Sequence, residues 1–239
     1  KSEEEVEEQL LFHSPKLSAD ILRTDGMRAL LLRGLAEESS SPVVIQYCVR
    51  TLRTLLPAAD ESLAFDLWLR GIALLGSSSL KSASAGEQLV AHFASEQRME
   101  QDGTHQQFDG LFNRGDEAIA LRASEVLAKL ASKEERYLGI PWIAAALTKL
   151  MKVAAGGDGE DLLVALSSLE VVGALAAKPK GFQFVVESGF PAEVAAKRLR
   201  PTEASSLAAA VFRFGAQLAE SGGDRALEAL RAASFLPKC

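Results

Sequence analysis

The residues best suited to moving protons or holding a metal near neutral pH are His13, His92 and His105. Metal ligands cluster or recur at fixed spacing, as in HExxH or paired CxxC units. Neither pattern occurs in this chain. His92 and His105 have Asp102 and Asp109 for neighbours. A pocket built around His92, His105 and Asp109 is therefore the catalytic alternative that the sequence offers. The glycines of SGGDRALEAL (221–230) precede a helical pattern and would present N–H groups to an anion. They lack the full phosphate-loop pattern and a preceding strand, and Asp224 already suits the helix start. Serine-rich stretches such as LGSSS and ESSSP contain no GxSxG elbow, and no histidine stands out as a triad base. Most carboxylates fall at helix starts or on polar faces. The expectation is no enzyme, no cofactor, no metal and no small-molecule ligand.

The two cysteines, Cys48 and Cys239, make no disulfide framework. Cys48 lies in IQYCVRTLRTLL and reads as a small buried hydrophobe. Cys239 is expected to be exposed. This usage points to a reducing compartment, cytoplasmic or nuclear. A net charge of -6 does not favour nucleic acid, and Lys197, Arg198 and Arg200 read as a solvated helix end. No apolar run reaches the ~18 residues of a membrane span, and no basic amphipathic stripe suits a membrane surface. The chain opens on Lys, so an upstream portion is expected.

The elements that must position these residues are helices. Of the 239 residues 48% are hydrophobic, mostly Ala and Leu, with few aromatic or β-branched residues. SEEEVEEQLLF begins like a helix, with a serine before glutamates. SSSLKSASAG and DGTHQQ read as a loop and a connector, and GGDG (156–159) as a joint. FQFVV (182–186) is the best strand candidate. A lone strand leaves its backbone groups unpaired, which favours a helix there. Phe212 and Phe214 lie two apart on one helix and point to different faces, so one of them is expected to be exposed.

Long amphipathic patterns start at 116, 160 and 202, intervals of 44 and 42, with an earlier one at 42. Spacing in the low forties is that of stacked helical repeats. The segment KGFQFVVESGFPAEVAAKRL, following the long pattern EDLLVALSSLEVVGALAAKP, resembles the short first and second helices of an armadillo repeat. The resemblance implies a glycine corner at Gly189, Phe190 entering the core, and Pro191 opening the next helix. ILRTDGMRALLLRGL repeats the arrangement at Gly26, and EERYLGIPWIAAALTKL at Gly139. Asn is nearly absent, and Trp68 and Trp142 do not recur at repeat spacing, unlike the asparagine and tryptophan ladders of importin-type members. The irregular repeats, acidic balance and Ala/Leu-rich helices are similar to the proteasome assembly-chaperone family that contains non-ATPase regulatory subunit 5. The chain also resembles Hsp70-type nucleotide-exchange cofactors with armadillo cores.

These readings converge on an all-α, armadillo/HEAT-like right-handed superhelix of about four or five irregular repeats. Residues 1–239 form one repeat domain, with joints at 76–86 and 156–159. The expected function is a non-catalytic protein-binding scaffold or assembly chaperone. Its partner is a folded protein: by resemblance, a proteasome regulatory-particle ATPase or an Hsp70-type chaperone. Trp68, Trp142, Phe214 and Arg198 are the candidate contact residues. Gly26, Gly139, Gly189 and Pro191 are the candidate structural joints.

Overall fold

The computed structural model describes residues 24–35, 41–55, 61–156, 161–200 and 205–233. His13, Cys239 and the helix expected near the N-terminus lie outside them. Every regular element among the described residues is a helix. The chain falls into two compact units, Lys1–Leu111 and Phe112–Cys239. Of the expected joint at 156–159 only Gly156 is among the described residues.

The first unit carries α1 (Asp25–Gly34), α2 (Pro42–Leu55), α3 (Glu61–Leu75), α4 (Leu80–Phe93), α5 (Glu96–Met99) and α6, which starts at Asp102 and closes on Phe112. α1 packs on α2, α2 on α4, and α3 on α4. The segment SSSLKSASAG (77–86), expected as a loop, is mostly helix. Ser79 caps α4 by accepting a hydrogen bond from the Ser82 N–H at 3.4 Å. The small residues that resemble a linker are the face α4 turns to α3. A Cβ on Gly86 would stand 2.6 Å from the Gly71 carbonyl oxygen, and one on Gly71 would stand 2.9 Å from Leu89 Cβ. The two helices therefore meet backbone to backbone. DGTHQQ is likewise helical, as the start of α6.

One polar knot ties α3, α5 and α6. The Arg98 guanidinium donates to Glu61 Oε1 at 2.6 and 3.1 Å and to the Phe93 carbonyl at 2.6 Å. It also lies 5.7 Å from the Phe93 ring centroid. The Thr104 hydroxyl donates to the Arg98 carbonyl at 2.6 Å and accepts from Trp68 Nε1 at 2.9 Å.

The second unit carries α7 (Glu117–Lys133), a 3-10 turn (Glu135–Gly139), α8 (Pro141–Ala155), α9 (Leu162–Ala176), α10 (Pro179–Glu187), α11 (Phe190–Arg198) and α12 (Ser205–Ala232). The long helices begin at 117, 162 and 205 and pack in that order, with α9 against both α7 and α12. Beside them α8 packs on α11, and α10 on the 3-10 turn. Asp116 and Asp161 cap α7 and α9 through their carboxylates. Pro141, Pro179 and Pro191 stand in first turns, where no N–H is needed. α12 breaks at Gly223 (φ 53, ψ -135), where SGG marks the sequence.

FQFVV is helix α10, and Gly189 is left-handed at φ 75, ψ 2. Phe190 behind it is buried edge-on to Phe214, with centroids 5.3 Å apart. Phe182 packs where a side chain on Gly222 would stand. Gly139 and Gly26 differ from the expected corner. At Gly139 the chain turns through the extended Ile140 without a left-handed residue. Gly26 lies inside α1, so it is no corner at all. Nothing lies within 4 Å of a Cβ at Gly189, so a side chain there meets only backbone strain. Gly189→Val should cost about 1–2 kcal/mol in urea unfolding and Gly189→Asn distinctly less. Equal costs would remove the strain argument.

Successive short elements are joined by one charge. The Lys180 N–H donates to Glu135 Oε1 at 2.8 Å, which puts a carboxylate of the 3-10 turn on the N-terminus of α10. Glu135→Ala is expected to lower stability by about 1 kcal/mol, and Glu135→Gln, which keeps an acceptor but not the charge, by a smaller amount. A Glu135→Gln variant as stable as the native chain would show that the charge is immaterial.

Candidate functional site

His92 is exposed on α4 with its ring edge-on to Phe93, and His105 and Asp109 are exposed on α6. No group of three or more His, Cys, Asp or Glu able to hold a metal occurs among the described residues. Cys48 is half-buried, and burial pushes its thiol pKa up, so little thiolate is present at neutral pH.

The four residues singled out for contact are placed mostly inside. Trp68 is fully buried in the polar knot. Trp142 is half-buried in the first turn of α8. Phe214 is 2% exposed, whereas Phe212 on the same helix is 56% exposed. One of the pair does face outward, and it is Phe212. Arg198 is also buried, not a solvated helix end. Its guanidinium packs over Gly156, whose φ of 104 closes α8. The neighbouring Lys197 ammonium donates to the Gly156 carbonyl at 3.3 Å and to Glu193 at 2.8 Å. Lys197 thus serves the carbonyl end of α8, with the Arg198 guanidinium packed beside it.

The densest group of exposed apolar side chains lies in the first unit. On α2, Ile45, Val49 and Leu52 are buried, while Val43, Val44 and Tyr47 are exposed, Tyr47 at 65%. Tyr47 is three and four residues from Val44 and Val43, so the three share a face. On α1, Leu30 is 64% exposed and stands one turn before Gly34. Gly34 is where α2 comes close. A Cβ there would collide with Cys48 Sγ and stand 4.0 Å from Val44 Cγ1. Leu30, Val43, Val44 and Tyr47 thus border one seam. An apolar patch that includes an aromatic is a common mark of a protein interface. The signal was present in PVVIQYCVRTLRTLL: it holds more apolar residues than one helical face can bury. In the second unit, Leu162 and Leu163 on α9 are exposed as well.

Among the described residues no helix is long and apolar enough to cross a membrane. Neither a family model nor a curated protein matches the chain. Solved structures do. A designed armadillo repeat protein, 16% identical, superposes with a TM-score of 0.51 over 95% of this chain and 87% of its own. An engineered protein, 18% identical, gives a TM-score of 0.47 over 92% and 85%. The first likeness shows the fold, an all-α repeat of armadillo type.

Proposed function

We propose that this chain is a non-catalytic scaffold that binds a folded protein through the apolar seam of α1 and α2. The supporting observation is the exposed cluster of Leu30, Val43, Val44 and Tyr47. Tyr47 supplies a large, rigid contact area with a polar tip, the type of side chain that dominates interface energetics. The partner is a proteasome regulatory-particle ATPase, and the role is that of an assembly chaperone. This finer reading rests on the likeness of composition and repeat pattern. An armadillo-type fold is a common platform for protein binding, but fold alone does not select the partner.

The test is a binding titration of the purified chain with an isolated regulatory-particle ATPase subunit, and in parallel with an Hsp70-type nucleotide-binding domain. The ATPase should bind, and Tyr47→Asp should weaken it by about 30-fold or more while leaving the circular dichroism unchanged. Binding to the Hsp70-type domain alone would replace this reading with a nucleotide-exchange role. Binding to neither, or affinities indifferent to Tyr47→Asp and Val44→Asp, would overturn the seam as the contact. A hydrolytic activity lost in His105→Ala would overturn the non-catalytic reading.

A further inference from the structure

The second unit contains a cleft of about 340 Å³ between α7, α8 and α9. That volume is in the range of small-molecule sites. Its walls include Leu121, Leu150 and Val164. Three polar features on this apolar background point to an occupant.

The first is Ser168 on α9. It lines the cleft, is 0% exposed, and its hydroxyl has no hydrogen-bond partner. Helical hydroxyls usually turn back to the carbonyl four residues earlier. Ser124, Ser132 and Thr148 on the adjoining helices do so at 2.8–2.9 Å. Ser168 does not, and a buried polar group left in this way calls for an explanation. The second and third features are Glu117 and Lys149, both exposed and both lining the cleft. They are opposite in charge, yet neither forms a salt bridge among the described residues. The remaining charge on the cleft, Asp116, is committed. Its carboxylate accepts from the N–H groups of Ala118 and Ile119 at 3.0 and 3.2 Å.

The cleft therefore offers an apolar wall, one free cation, one free anion and one buried hydroxyl. A fatty acid would satisfy the cation alone and would meet an unpaired Glu117. A free amino acid would satisfy both charges and leave the hydroxyl idle. We propose that the cleft binds small apolar dipeptides. The ligand carboxylate pairs with Lys149 and its ammonium with Glu117. Its side chains lie on the apolar wall, and its peptide carbonyl accepts the Ser168 hydroxyl. No bond is made or broken. The inference is independent of the protein-binding reading, which concerns the first unit.

The test is a two-dimensional NMR titration of the full chain with leucyl-phenylalanine and with its N-acetylated, C-amidated form. The free dipeptide should give saturable shifts at residues around Ser168, and the blocked form should bind about tenfold more weakly or worse. Lys149→Gln should weaken the free dipeptide by a similar factor and shrink, without abolishing, the difference between the free and blocked forms, since the carboxylate pair is gone and the ammonium pair remains. Ser168→Ala should weaken binding while leaving the melting temperature of the free chain unchanged or raised, because it deletes a buried hydroxyl that nothing serves. A structural role for Ser168 would instead lower that temperature. The proposal is overturned if no saturable shifts appear at millimolar dipeptide. Equal binding of the blocked dipeptide, or indifference to Lys149→Gln, overturns it as well.

Discussion

Trp68→Ala is expected to lower the stability of the first unit by about 3–5 kcal/mol, the usual range for emptying a large buried aromatic site. Trp68 has no exposed surface, and its indole N–H is the outer link of the chain Trp68–Thr104–Arg98. Truncation leaves a cavity and strips one partner from Thr104. Trp68→Phe keeps most of the volume and loses only the N–H. Thr104 still donates to the Arg98 carbonyl, so that variant should cost about 1–2 kcal/mol. The measurement is urea unfolding followed by far-ultraviolet circular dichroism. The other tryptophan, Trp142, lies in the second unit and reports on it separately by fluorescence. A loss below about 1 kcal/mol for the alanine variant would show that the pocket collapses freely and that the knot does not hold α3, α5 and α6 together.

The second large effect belongs to Gly86→Val, with an expected loss of about 2–3 kcal/mol. The atoms that a new side chain would meet are the Gly71 carbonyl oxygen at 2.6 Å, Leu74 Cβ at 2.8 Å and the Leu75 nitrogen at 3.0 Å. Two of these are main chain and the third is the root of a side chain, so none can swing aside. α3 and α4 would have to separate, loosening the packing of Leu75 and Leu89, both fully buried. Gly110→Ala on α6 is the matched control. It has nothing within 4 Å of its Cβ and a right-handed backbone, so it should gain up to about 1 kcal/mol from helix propensity alone. If both substitutions moved stability in the same direction, close helix approach would not be the reason for Gly86.

The repeat was readable from spacing because each long helix needs an apolar stripe of similar length. That stripe survives in the sequence whatever covers it. Gly189 was readable for a related reason: a left-handed corner excludes most side chains, so its glycine is informative. The stretch at 77–86 is ambiguous in sequence because serine, alanine and glycine serve two physical purposes. They loosen a chain in solvent, and they let two helix backbones approach; only the partner helix shows which applies. The same ambiguity hid Phe212 behind Phe214. Their spacing says that one faces out, but the direction of the core decides which. Arg198 looked solvated because its neighbours are charged. It is buried because its guanidinium packs over Gly156 at the end of α8, a contact 42 residues away in sequence that the local pattern does not show. Tyr47 was visible only as an excess of apolar residues on α2, and the unit boundary at Leu111 leaves no mark in composition.

In the second unit α9 touches the long helix before it and the long helix after it, and the short elements pair in the same order. Such an arrangement makes length an adjustable quantity. A segment from one short element through the following long helix carries its own inner partners and presents the same two faces to whatever precedes and follows. It can be copied or deleted as a block without inventing a new interface. The places to cut are the capped starts, since Asp116 and Asp161 open their helices through local hydrogen bonds and need no distant residue to do so. Growth and loss of whole blocks, rather than of single turns, is the kind of change that this architecture accommodates most easily.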